Sequence, residues 1–283
     1  MSSRLRIIIS AAVVVALVAV AIVGYVAIGF AYAQIRIVAA DRVLNTVVSH
    51  ENKLNTAFRQ IDSRFSSLGG NNPFNATQAR ALVDQFVSSS RSAQQTVNQD
   101  DSSLASAQSS LEGQRWLTAV ARGNLDRESL RIRHARNALG SARTVVSDYL
   151  LDGQFLQSFF DTLADLDTLD NQTASSDFTG AQATLVTMKA HVDRATELST
   201  APGLPKELHS MMVDFQSLVG DFGQLFTAAQ ANDDAGVTTA ENALQNDSTK
   251  VAGYNFDAIS AEVVAFYQPL VDRFNSEMAA ATA

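Results

Sequence analysis

Residues 37–68 read IVAADRVLNTVVSHENKLNTAFRQIDSRFSSL. Steps of three and four from Ile37 visit Ala40, Leu44, Val47, Glu51, Leu54, Phe58, Ile61, Phe65 and Leu68, and only Glu51 among them is polar. That spacing keeps the side chains on one side of an α-helix, in the a/d pattern of a coiled-coil seam. In water such a stripe needs a cover. Ile37, Leu44, Val47, Leu54, Phe58, Ile61, Phe65 and Leu68 therefore form a candidate packing or partner seam, met either by helices of the same chain or by another molecule. The glycines, asparagines and proline at positions 69–73 stop the pattern, because proline disfavours helix in the residue before it.

Upstream of the seam, the run from Ile7 to Ala33 carries no charge and consists mainly of Val, Ala and Ile. As a helix it is ~40 Å long, enough to cross a hydrocarbon core of ~30 Å with some tilt. Arg4 and Arg6 precede it and favour a cytoplasmic N-terminus, although Arg36 and Arg42 on the far side make the bias small. The competing reading is a cleaved signal peptide, since Ala31-Tyr32-Ala33 fits the small-residue processing pattern before Gln34. Signal peptides, however, have apolar cores of roughly 7–15 residues, about half of this run.

Downstream, the three-and-four spacing recurs. A second helix is expected from Ala76 to Arg122, weakened around Asn98-Gln99-Asp100-Asp101. A third begins with Asp126 as candidate N-cap and Leu125 and Leu130 as a hydrophobic staple, and its seam runs from Ile132 to Leu163 with Gly153 in one slot. Residues 172–177 are polar and read as a turn or hinge. A fourth helix carries Phe178, Leu185, Met188 and Val192. A fifth starts at Pro205 and presents Leu208, Met211, Phe215 and Leu218, and a sixth runs from about Val237 to Phe274 with a kink at Pro269. No alternating run of strand length occurs. The expected fold is all-α: a short cytoplasmic N-terminus (1–6), a transmembrane helix (7–33), then an elongated extracytoplasmic antiparallel helical bundle with coiled-coil-like packing. In that bundle a first long-helix region (34–171) is joined through the polar turn to a C-terminal helical region (178–283) that can continue the same bundle.

Composition narrows the chemistry. With no cysteine there is no disulfide, thiolate nucleophile or Cys-ligated metal. Arginine outnumbers lysine 17 to 4 and alanine is abundant, a usage that looks like a prokaryote with a GC-rich genome and decides nothing about mechanism. The formal charge is −8, and without Arg4 and Arg6 the remainder carries −10, which disfavours nucleic acid as a partner. The four histidines form no His-Glu-x-x-His pair, and His191 and Asp193 point to different faces of a helix. Asp148 and Asp152 are four apart, as are Asp161 and Asp165, so each pair can share a face; solvated acidic faces carry the same pattern. No Gly-x-Ser-x-Gly elbow or phosphate loop is present. Neither cofactor nor catalysis is expected.

The most informative polar feature is a reversal of charge. Residues 115–143 hold seven arginines and two acids, whereas residues 144–177 hold seven aspartates and no base. Arg122, Arg131, Arg133, Arg136 and Arg143, followed by Asp148, Asp152, Asp161 and Asp165, are candidates for a polarised docking surface, or for salt bridges to neighbouring helices. The reading that follows is a single-pass membrane protein of the cell envelope, held in the lipid bilayer, whose outer domain acts as an interaction or scaffold protein for an envelope protein partner or a second copy of itself. An accessory sensory or solute-binding module is the alternative, marked by a convergent polar pocket among the helices, and an envelope enzyme comes third.

The topology is directly testable. Protease added outside intact cells should digest the chain beyond Gln34 while an engineered N-terminal tag stays protected. A protected C-terminal region would overturn the orientation, and a mature product beginning at Gln34 would identify a cleaved leader.

Overall fold

The computed structural model describes residues 3–68, 76–113, 115 and 117–283, with side-chain surroundings from residue 22 onward except at 58, 61, 62, 64–68, 76, 77 and 120. Among the described residues the chain is all-α. Its helices are α1 (Ser3–Leu68), α2 (Ala76–Glu112), α3 (Arg122–Ala174), α4 (Phe178–Leu198), α5 (Lys206–Gln230), α6 (Asp234–Ala252) and α7 (Phe256–Thr282), with a 3-10 turn at Ala119–Ala121 leading into α3. They contribute to two compact units, the first built from residues 1–52, 97–141 and 273–283 and the second from 53–96 and 142–272.

α1 begins as the apolar run. Among the described residues Ile22–Ala57 is the one stretch long and apolar enough to cross a membrane. Ile22, Val23, Ile28 and Phe30 stand exposed on it. In water each such side chain forgoes about 1.5–3 kcal/mol of burial, whereas lipid covers it. The helix runs through Ala33 and Gln34 without a break, and Arg36 lies 4.2 Å over the ring of Tyr32 while donating to its hydroxyl.

In the first unit, Ala40, Leu44 and Val47 are buried on α1, Val97, Leu104 and Leu111 on α2, Ile132, Ala135 and Leu139 on α3, and Met278 and Ala281 on α7. Polar pairs tie these helices at their margins. His50 Nδ1 lies 3.0 Å from Asp100 Oδ1, Arg136 Nε donates to Asp101 at 2.9 Å, and Arg131 Nε donates to the Ala281 carbonyl at 2.9 Å. His134, flanked in sequence by arginines, meets Glu277 from α7 at 2.7 Å.

The second unit is centred on Phe155, Met188, Val192, Met211, Met212 and Phe215, with α5 packed directly against α4 and α6. Gly153 is buried where α3 crosses α2. A Cβ there would lie 2.5 Å from Val87 Cγ2, closer than real contacts allow, so this slot of the seam admits no side chain without displacing a β-branched neighbour. Asp177 and Asp233 cap α4 and α6 by accepting from the backbone N–H groups of Gly180 and Gly236.

Several boundaries differ from the sequence expectation. α2 ends at Glu112, ten residues before Arg122, where the Gly113 carbonyl takes a 2.6 Å hydrogen bond from Arg36. Asp126 is not the N-cap of α3, which starts at Arg122. It lies within the helix, 3.7 Å from Arg122, and the staple is not made because Leu125 is buried while Leu130 is exposed. Pro205 is the N-cap residue of α5 rather than its first residue. The expected sixth helix is two, α6 and α7, because Asn255 Oδ1 accepts from the N–H of Ala258 and caps a new start; Pro269 lies inside α7. The side chains of Arg4, Arg6, Phe58, Ile61, Phe65 and Leu68 lie outside the described residues.

Leu44, 1% exposed, and Val38, 48% exposed, sit six positions apart on α1 and give a clean comparison. Leu44→Ala should lower resistance to urea, followed by circular dichroism, by about 2–5 kcal/mol, and Val38→Ala should change it by less than about 0.5 kcal/mol. Equal losses would contradict the packing of α1 in the first unit.

Candidate functional site

The second unit contains a cavity of about 650 Å³, within the range of small-molecule sites. α3 supplies one wall through Tyr149, Asp152, Phe155, Leu156 and Phe159, spaced by the helical repeat. Phe86 comes from α2, Leu204 from the turn before α5, Leu208 and Met211 from α5, and Phe256, Ile259, Ser260 and Val263 from the first two turns of α7. Arg59 of α1 completes the lining and is exposed.

Aromatic rings stiffen this wall. Phe155 and Phe159 stack at 6.0 Å, Phe159 meets Phe215 edge-on at 6.5 Å, and Phe86 lies 5.6 Å from Tyr149. Tyr149 in turn meets Tyr267 of α7 edge-on at 4.9 Å. The Tyr267 hydroxyl is buried and donates to Asp152 Oδ2 at 2.9 Å. The loop between α4 and α5 wraps that hydroxyl. Gly203 has a φ of 89°, open to glycine at little cost, and a Cβ at this position would lie 2.3 Å from the Tyr267 hydroxyl oxygen.

Asp152 is therefore held but not satisfied. Its residue surface is 7% exposed, Oδ2 has Tyr267, and Oδ1 is closed to solvent with no hydrogen-bond partner. Burial drives its pKa up to about 7; the Tyr267 hydrogen bond works against this rise, and the nearby Asp148 adds to it. Burial, with the charge of Asp152 beside it, likewise raises the Tyr267 phenol, so that hydroxyl keeps its proton and remains the donor. An incompletely paired carboxyl on an apolar wall is costly to keep.

The residues singled out from the sequence are placed as follows. Leu44 and Val47 are buried in the first unit, and Ile37 and Leu54 are half-buried. Arg131 pairs with Glu128 at 2.9 Å and Asp41 at 3.4 Å, Arg136 with Asp101, and Arg122 with Asp126, while Arg133 and Arg143 are exposed. In the second unit Asp161 pairs with Arg80 and Asp165 lies 2.8 Å from His191. Asp148 and Asp152 are buried, which removes them from any surface a macromolecule could meet. His191 and Asp193 diverge to different partners, Asp193 bonding Lys189 and Gln216.

Among the described residues no group of three metal-ligating side chains converges. Ser199 and His209 approach at 2.8 Å, but Ser199 is 1% exposed and its hydroxyl also donates to the Thr196 carbonyl at the end of α4, so the pair closes a helix end. The residues that sequence reasoning missed are Tyr267, Gly203 and Phe86. The only signal for the site was the four-residue spacing of Asp148 and Asp152 on a helix otherwise rich in aromatics. No protein-family model matches the chain, and neither curated proteins nor solved structures contain a match.

Asp152 fixes a pH dependence. The folded state retains a proton that the unfolded chain releases near the ordinary value of 3.8, so stability falls as pH rises from there to about 7 and is flat above. Asp152→Asn should remove that decline and make the protein more stable than wild type above pH 7 by a few kcal/mol, read from urea midpoints across the range. Matching pH profiles for the two proteins would contradict the burial of this carboxyl.

Proposed function

We propose that this chain is a membrane-anchored, extracytoplasmic helical module that binds an apolar small molecule in the cavity of its second unit. One observation carries the reading: a cavity of about 650 Å³ with aromatic and aliphatic walls on which a buried carboxyl stands without a full set of partners. Such a cavity offers burial for an apolar body and a single polar group to orient it. The anchor is the apolar start of α1, and the arginines at positions 4 and 6 support a cytoplasmic N-terminus.

A scaffold role drew on the seam from Ile37 to Leu68 as a surface for another protein. Its described part supports that role less well, because Ala40, Leu44 and Val47 are each 1% exposed within the single chain and leave a partner little to cover. Of the arginines meant for docking, Arg131 and Arg136 are engaged in ion pairs of the first unit. Among the described residues, the cavity of the second unit is left unfilled.

Full-length protein in phosphatidylcholine nanodiscs, titrated with N-phenylnaphthylamine, should show a saturable fluorescence increase that empty nanodiscs lack. Ser260, exposed at the cavity wall, can be enlarged without disturbing the core. Ser260→Trp should weaken binding on the order of ten-fold, equivalent to about 1.4 kcal/mol. The absence of a saturable component above empty discs would contradict the proposal.

A further inference from the structure

Resting on that reading, we propose that the ligand is a hydrophobic ammonium ion, an apolar body bearing one cationic nitrogen, and that Asp152 is its counter-ion. Among the described residues Asp152 is the only acidic one on the cavity wall, and its Oδ1 has no partner. The other charged residue of the wall, Arg59, is exposed, so water screens it while the carboxylate acts through a medium of low dielectric. Asp148, one helical turn away and buried, adds charge of the same sign. The potential inside is thus negative, which favours a cation over an anion or a neutral polar group.

The walls suit the same ion. Tyr149 and Phe86, in ring contact with each other, flank the acid on the lining, and an aromatic face attracts a desolvated cation through its quadrupole. Tyr267 holds one carboxyl oxygen from behind. Asp152 itself lines the cavity, and its second carboxyl oxygen has no partner within the chain. The remaining lining, including Phe155, Leu208 and Ile259, takes the apolar body.

The inference separates from the proposal beneath it through three probes of matched chain, decylamine, decanol and decanoate, each displacing N-phenylnaphthylamine from full-length protein in phosphatidylcholine nanodiscs, corrected with empty discs. Decylamine should displace at a concentration roughly ten-fold or more below decanol, as a charge-assisted contact provides. Asp152→Asn should abolish that preference while leaving decanol unchanged. Wild type supplies an independent check if the variant fails to fold. The groups facing Asp152 are Tyr267 from α7, Asp148 and Tyr149 from its own helix and Arg59 from α1, and α2 and α5 present only apolar side chains. The carboxyl of Asp152 titrates near 7, so the preference for decylamine should be full at about pH 8 and lost at about pH 5. Equal affinity for decylamine and decanol would overturn the counter-ion and leave the apolar site standing. A preference for decanoate that disappears in Arg59→Gln would overturn it in favour of an anion site. Failure of all three probes to displace the dye would remove both readings.

Discussion

The carboxyl of Asp152 receives its hydrogen bond from the Tyr267 hydroxyl, 115 positions later in the chain, and that contact ties α7 to α3 beside the cavity. Removing a carboxylate from water costs several kcal/mol unless it is paired, and this one is paired only in part. The Tyr267 ring is fixed edge-on to Tyr149 and to its neighbour Phe266, and its hydroxyl is enclosed by a turn that only Gly203 permits. α3, α7 and the α4–α5 turn are thereby held at one point. The cavity lies beside that point because α3 presents Phe155, Leu156 and Phe159 on the same face as Asp152.

The first unit works by a different chemistry. Its core is aliphatic and small, with alanines at 40, 135, 138 and 281 allowing close approach, and its margins are closed by ion pairs and histidine–carboxylate contacts. Exposed pairs of this kind contribute little each. Their arrangement explains the arginine-rich sequence between 115 and 143, for Arg131 and Arg136 face acids from α1 and α2. α1 enters this unit directly from the apolar run, so the same helix carries the membrane-length apolar stretch and the seam.

Much of the fold was legible because helical periodicity is a local signal. The apolar spacing around Leu44 and the Pro-Gly turn before α5 follow from short stretches read alone, whereas α3 runs on to Ala174 through the first half of the polar stretch 172–177. What was missed depends on contacts distant in sequence or on caps. The end of α2 is fixed where Arg36 reaches the Gly113 carbonyl, 77 positions away, and the α6–α7 break turns on a single asparagine cap. The site was barely legible. Asp148 and Asp152 were visible as a pair sharing a face, but such pairs are normally solvated, and nothing in their spacing says that Tyr267 and Phe86 enclose them. Gly153 occupied an apolar slot in the periodicity without revealing that Val87 fills the space a side chain would need.

Asp152 is a buried, incompletely paired carboxyl, and a carbon-13 titration of that side chain in the full-length protein reads this directly. Asp152 labelled at its carboxyl carbon should titrate near 7, with the midpoint falling when decylamine occupies the cavity, because a cation beside the group favours its charged form. A midpoint at the ordinary value near 3.8, unmoved by decylamine, would mean that the carboxyl is solvated, and would contradict both the site and the ligand assigned to it.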